Sequence, residues 1–141
     1  MKKILTSAIF IIATITLVSC QTPSTEKPKS ALGSAIEFQV TEHDFGTIQQ
    51  GGDGSFDFVF TNTGVEPLVL TNVRSSCGCT IPSWPHDPIP AKGKEAIKVK
   101  YDTNRVGKFN KTITVTSNAG EEPIVLKISG EVIANPATAP K

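Results

Sequence analysis

The feature that most constrains this chain is a hydrophobic period of two, repeated in several short stretches. In "SFDFVF" residues Phe56, Phe58 and Phe60 share one face while Asp57 and Thr61 take the other. In "EAIKVKYD" residues Ile97, Val99 and Tyr101 alternate with Lys98 and Lys100. The same spacing separates Ile113 and Val115 from Thr112, Thr114 and Thr116, and Ile124, Leu126 and Ile128 from Lys127 and Ser129. Successive strand side chains point to opposite faces, so these runs predict half-buried antiparallel strands. No stretch carries a helical stripe.

Turn chemistry cuts the alternating runs at short intervals: Gly51-Gly52-Asp53-Gly54, Asn62-Thr63-Gly64, Asn104 to Gly107, and Asn118-Ala119-Gly120, with a Pro-rich connection from Pro82 to Lys94. Gly and Asn accept positive φ and Pro withdraws a backbone donor, so each cluster ends a ladder. Segments near 36–41, 44–48, 55–62, 67–74, 95–102, 109–117 and 123–133 make about seven strands in under a hundred residues. That pattern predicts an immunoglobulin-like β-sandwich, with a small barrel as the alternative. The sole tryptophan, Trp84, falls in the Pro-rich connection, and no widely separated cysteine pair is present to staple two sheets.

The N-terminus reads MKKILTSAIFIIATITLVSC, with Lys2 and Lys3 before an apolar run from Ile4 to Val18. This is the pattern of a secretory signal over residues 1–19, too short to span a hydrocarbon core of about 20 residues. Leu17-Val18-Ser19-Cys20 resembles a bacterial lipobox, which makes Cys20 the expected acylated residue and the membrane the expected site of attachment. Two or more acyl chains anchor stably where one does not. Gln21 to Ala35 is rich in Pro, Ser, Thr and Lys and predicts a flexible tether over residues 20–35 with a reach of ~20 Å. The folded domain is expected over 36–133, with a disordered tail over 134–141. Removal of the signal turns 14 basic against 13 acidic residues into 12 against 13, a net charge of −1. Such a balance gives no basic face for nucleic acid.

The chain has three cysteines. With Cys20 acylated, Cys77 and Cys79 remain in "SSCGCT" as a candidate thiol pair. In an oxidising compartment an isolated pair raises the question of a disulfide. Residues two apart on an extended strand lie ~6.6 Å apart at Cα, at the upper edge of disulfide geometry, so closure requires a bend that a positive φ at Gly78 would permit. A ring that small adds little stability and reduces easily, so a stabilising staple ranks lowest. Three readings stay open: two small packed side chains, a dithiol that cycles with a redox partner, or a metal site. A closed four-ligand zinc site would need Cys77, Cys79, His43 and His86 together, which exhausts the imidazoles of the chain. A copper site of two His and one Cys is also countable, without its usual axial thioether once Met1 is removed. Each histidine otherwise reads as a solvent-facing loop residue.

No nucleophile elbow, phosphate-binding loop or dinucleotide fingerprint occurs. The Gly-Gly-Asp-Gly of 51–54 reads as a hairpin turn. Asp44, Asp53, Asp57 and Asp87 are scattered through turns and strand faces. The chain is therefore expected to have no catalytic centre, no cofactor and no resident metal.

Taken together, "HDFGTI", "FVFTNTG", "EPLVLTNVRSSCGCT", "YDTNRVGKFNKTITVTSN" and "PIVLKISGEV" resemble a family of bacterial envelope proteins, domain of unknown function fifteen seventy-three, abundant as lipoproteins in Bacteroidota. The resemblance runs from about His43 to Val132, and Ser76-Cys77-Gly78-Cys79-Thr80 is its most distinctive element. It implies an immunoglobulin-like sandwich on the envelope and a shared role for Cys77 and Cys79. One departure is Pro90-Ala91-Lys92-Gly93, where relatives often place Pro directly before Gly. The segment after Cys20 lacks the acidic cluster that resembles a surface-export signal, so the periplasmic face of the outer membrane is the expected location. The leading expectation is a lipid-anchored module that binds another envelope protein or a carbohydrate through loops or a sheet edge. The alternative is a thiol redox or metal-handling protein using Cys77 and Cys79.

Overall fold

The computed structural model describes residues 33–135. Eight strands form two four-stranded sheets: β1 (Ile36–Phe38), β2 (Glu42–Gln49), β3 (Ser55–Asn62), β4 (Leu70–Ser75), β5 (Thr80–Ser83), β6 (Lys94–Tyr101), β7 (Gly107–Ser117) and β8 (Gly120–Ile133). One sheet has the order β1-β3-β6-β5 and the other β2-β8-β7-β4. The domain is an immunoglobulin-like β-sandwich. Every alternating apolar residue named from the period of two faces the space between the sheets. Phe58, Phe60, Ile97, Ile113, Leu126 and Ile128 are all 0% exposed. Each such side chain contributes about 1.5–3 kcal/mol relative to exposure, which explains why a period-two sequence of this length closes into two layers.

Three details depart from the sequence reading. First, there are eight strands among the described residues rather than about seven. The additional one, β5, lies between the segments read as strands near 67–74 and 95–102, where the Pro-rich connection begins. It is four residues long, contains Pro82, and pairs only with β6. Proline is tolerated at such an edge because no ladder hydrogen bond is needed on the open side.

Second, the pairing is not wholly antiparallel: β2 runs parallel to β8. The N-terminal run pairs with β3 over Ile36–Phe38, then crosses to the opposite sheet. Third, Gly51–Gly54 is no hairpin turn, because β2 and β3 lie in different sheets. It carries the chain across the end of the sandwich. Gly51 N–H donates to Thr103 O (3.1 Å) and the Thr103 hydroxyl donates to Gly52 O (2.7 Å). A Cβ on Gly54 would stand 2.7 Å from Thr103 Cγ2 and 2.9 Å from Tyr101 O, so this crossing admits only glycine there.

The tether also ends earlier than expected. Residues 33–35 pack against the turn after β3: Thr63 N–H donates to Ala35 O (2.9 Å) and Val65 N–H to Gly33 O (3.0 Å). The centre of this junction is Asn62, 0% exposed. Its Nδ2 donates to Glu66 O (2.7 Å) and Ile89 O (3.0 Å), and its Oδ1 accepts from Gly64 N–H (3.0 Å) and Ala35 N–H (3.4 Å). A side-chain amide offers two donors and an acceptor with two lone pairs, so all of its capacity is used. One residue thereby ties the N-terminal entry, the 62–66 turn and the Pro-rich connection. Of the expected tail over 134–141, only residues 134 and 135 are described. The expected signal, Cys20 and most of the tether lie outside the described residues.

Candidate functional site

The CGCT segment forms the corner between β4 and β5, where the chain leaves one sheet for the other. Cys77 and Cys79 are joined as a disulfide with a Cα–Cα distance of 5.3 Å. This corrects the low rank given to a disulfide, and the physical reason is local. Residues 76–79 are bend and turn rather than strand. The extended-chain separation therefore does not apply. The bend does not use the device expected of Gly78, which has no positive φ. A Cβ placed on Gly78 would meet nothing within 4 Å.

Hydrogen bonds on both sides hold the corner. Ser76 N–H donates to Thr112 O (2.9 Å) and Thr112 N–H to Ser76 Oγ (3.2 Å), which locks the start of the corner to β7. Asp102 N–H donates to Cys79 O (2.8 Å), which locks its end to the turn after β6. The two sulfurs sit in unlike surroundings. Cys79 belongs to the core at 5% exposure, whereas Cys77 is half-buried at its margin. Cys77 Sγ lies 3.7 Å from Thr80 Oγ1.

The histidines do not join this corner. His43 is not a loop residue: it lies on β2, half-buried, with its ring stacked on Phe56 at 3.6 Å between centroids and edge-on to Phe45 at 4.5 Å. This aromatic contact spans the two sheets, and burial lowers its pKa below the ordinary imidazole value while neighbouring Asp44 partly opposes that. His86 is an exposed loop residue 5.1 Å from the Trp84 ring. Trp84 packs against the core just after β5, and its buried Nε1 has no hydrogen-bond partner among the described residues. Among the described residues no three His, Cys, Asp or Glu side chains are grouped to hold a metal ion. The four-ligand set that the sequence left open is therefore not brought together, and its two sulfurs are bonded to each other.

The acids serve turns. Asp53 accepts from Ser55 N–H (2.9 Å), and hydrogen bonds from the Ser55 hydroxyl and amide hold its carboxyl below the usual range. Asp102 is lowered in the same way by Asn104, first through its backbone N–H. Asp44 Oδ1 accepts from Gly46 N–H (2.9 Å) and stabilises the bulge where the β2–β8 register shifts. The sequence reading missed what this bulge makes, an open cleft of about 550 Å³ bordered by Asp44, Thr47, Lys108, Phe109, Asn110 and Glu131. Its sequence signal was the Asp-Phe-Gly of "HDFGTI". There Gly46 takes φ +61°, and Gly130 opposite admits Phe109 and the Gly46 carbonyl at distances a side chain would block.

The profile of the family described as Protein of unknown function (DUF1573) matches residues 36–132, nearly all of the sandwich. The chain belongs to that family. No curated protein matches the sequence. Among solved structures, a protein of unknown function from Porphyromonas gingivalis W83 is similar with a TM-score of 0.63 at 17% identity, over 74% of this chain and 49% of that one. The chain thus spans about half of that structure. The ASH/PapD-like domain 7 of human CEP192 is similar with a TM-score of 0.63 at 14% identity, over 86% of this chain and 99% of that domain. A chain of the CsuC–CsuE chaperone–tip adhesion subunit pre-assembly complex of Acinetobacter baumannii is similar with a TM-score of 0.54 at 11% identity, over 76% and 61%. At these identities the likenesses establish the fold alone, the immunoglobulin-like β-sandwich of this DUF1573 domain.

Proposed function

We propose that this DUF1573 domain is a lipid-anchored binding or assembly module of the cell envelope, held at the membrane through Cys20 and facing the periplasm, with another envelope protein as its partner. The observation that carries the reading is the open edge of β4. β4 pairs only with β7, over a regular register from Asn72 to Ser75, and contains no proline. The other outer strands are less suited to accepting a strand. β1 has three residues, β2 is interrupted by its bulge, and β5 carries Pro82. Because Ser76 N–H faces β7, alternation along the strand turns the N–H groups of Ser75 and Val73 to the open side. Unpaired N–H and C=O groups in a row are a template for main-chain recognition by an added strand. A chaperone–subunit assembly among the similar folds supports a protein partner over a carbohydrate.

Ser75→Pro removes one outward donor, and with it the Oγ that accepts from Cys77 N–H (3.3 Å), while leaving the β4–β7 ladder intact, so a comparison with Ser75→Ala, which loses the hydroxyl alone, separates edge binding from folding. Capture from envelope extract by the wild-type protein is expected to recover a partner in stoichiometric yield, and the S75P protein, at unchanged melting temperature, to lose it. Equal recovery by both would refute edge binding. The anchor is tested separately: Cys20→Ser is expected to move the protein from the membrane fraction to the soluble one.

A further inference from the structure

We propose that the Cys77–Cys79 disulfide is a thiol–disulfide exchange site that accepts two electrons from a dithiol partner, with Cys77 as the sulfur that is attacked. This reaches beyond the binding reading and does not depend on it.

The asymmetry of the pair sets the order of events. Exchange needs a thiolate to approach one sulfur along the S–S axis, so access decides which sulfur is hit. Cys79 is buried in the core at 5% exposure, and Cys77 stands at its margin. The side next to Gly78 is open, with nothing within 4 Å of where a Cβ would be. The corner also stands without the bond. Thr112 and Asp102 hold the backbone on either side through Ser76 and Cys79 O. Opening the sulfurs therefore leaves the cysteines at a Cα distance of 5.3 Å, inside the span from which a disulfide re-forms. The bond closes a loop of only two residues' separation, so it constrains the unfolded chain weakly and its loss does not unfold the domain.

In the first step a partner thiolate attacks Cys77 Sγ, and the Cys77–Cys79 bond breaks. Cys79 takes the electron pair together with the proton of the partner's second thiol. In the second step that second sulfur, now a thiolate, attacks the partner sulfur of the mixed disulfide. Cys77 leaves as a thiolate and takes a proton from water. The partner dithiol has become a disulfide, and Cys77 and Cys79 have gained two electrons and two protons. Thr80 serves the second step. A disulfide sulfur has no hydrogen, so in the 3.7 Å contact the Thr80 hydroxyl is the donor, and the same O–H stabilises the departing Cys77 thiolate.

The test uses the purified full-length protein without denaturant. Dithiothreitol, as the dithiol probe, is expected to release two thiols that peptide mapping assigns to Cys77 and Cys79, with the circular dichroism spectrum unchanged. Glutathione, as a monothiol probe, is expected to label Cys77 at least tenfold more than Cys79. Alkylation of the reduced Cys77 is expected to slow several-fold in Thr80→Val and to recover in Thr80→Ser. A bond that resists dithiothreitol until the protein is denatured, loss of the folded spectrum on reduction, or equal labelling of both cysteines would each overturn the proposal.

Discussion

Two corners of this sandwich hold their neighbours by opposite means. At the end of β3, Asn62 joins three segments with four hydrogen bonds and no covalent link. At the end of β4, Cys77 and Cys79 are joined covalently but only to each other, two residues apart. A bond's strength does not measure its contribution to folding. What counts is how much freedom the unfolded chain loses and which buried groups would be left unpaired. The Asn62 amide satisfies groups from residues up to 27 positions away. The disulfide closes almost no loop. The weaker interactions at Asn62 should therefore matter more to stability, and the stronger bond at the cysteines should matter more to chemistry.

The largest test of this contrast is Asn62→Ala. Removing the side chain strands the donors of Ala35 and Gly64 and the carbonyl of Glu66, and leaves Ile89 O with Leu68 N–H (2.8 Å) as its remaining donor. At about 1–3 kcal/mol for each buried group left unpaired, partly relieved by water at the rim, the expected loss is about 3 kcal/mol. For a domain of this size that lowers Tm by roughly 15 °C in a thermal melt. A loss below that seen on reducing the disulfide would break the comparison. Reduction itself is expected to lower stability by about 1.5 kcal/mol in parallel urea titrations, since a loop of three residues loses little entropy on cross-linking.

A region outside both corners supplies the pH control. Burial lowers the pKa of His43 in its stack on Phe56. The neutral ring is therefore favoured in the folded state, and the unfolded chain binds the proton more tightly. Its contribution is fully present above about pH 6.5 and is lost as pH falls through the lower folded-state value. His43→Gln is expected to flatten that part of the stability–pH curve between pH 7.5 and pH 5, measured by denaturant titration. An unchanged slope would assign the acid sensitivity to other groups.

Two small effects sharpen the contrast further. Lys92, whose N–H donates to Asn62 O (2.9 Å), takes φ 67° at a turn position that favours Gly or Asn. Lys92→Gly relieves that conformation and is expected to stabilise by about 0.5 kcal/mol net of the added freedom of the unfolded chain. Gly78→Ala is expected to change stability by less than about 0.5 kcal/mol, because a methyl there meets nothing and no positive φ is needed. A loss of several kcal/mol would show that the cysteine corner depends on glycine after all.

The architecture could be read from the chain because alternation is a local property. Phe56, Phe58 and Phe60 on one face, and Ile97, Val99 and Tyr101 on another, require half-buried strands whatever partners they find. The family resemblance likewise rested on contiguous words such as "SSCGCT" and "HDFGTI". Pairing partners are not local, and there the tertiary structure decided. Gly51–Gly54 has the composition of a hairpin turn but crosses between sheets, because β2 finds its partner in β8 rather than in β3. β5 was hidden by its length and by Pro82, since an edge strand needs only one side of its backbone paired. Asn62 looked like a turn residue until three distant segments converged on its amide. The disulfide followed the same logic. Spacing alone set an extended separation too long for comfortable closure, and the contacts of Ser76 with Thr112 and of Cys79 with Asp102 impose the bend that brings the two sulfurs together.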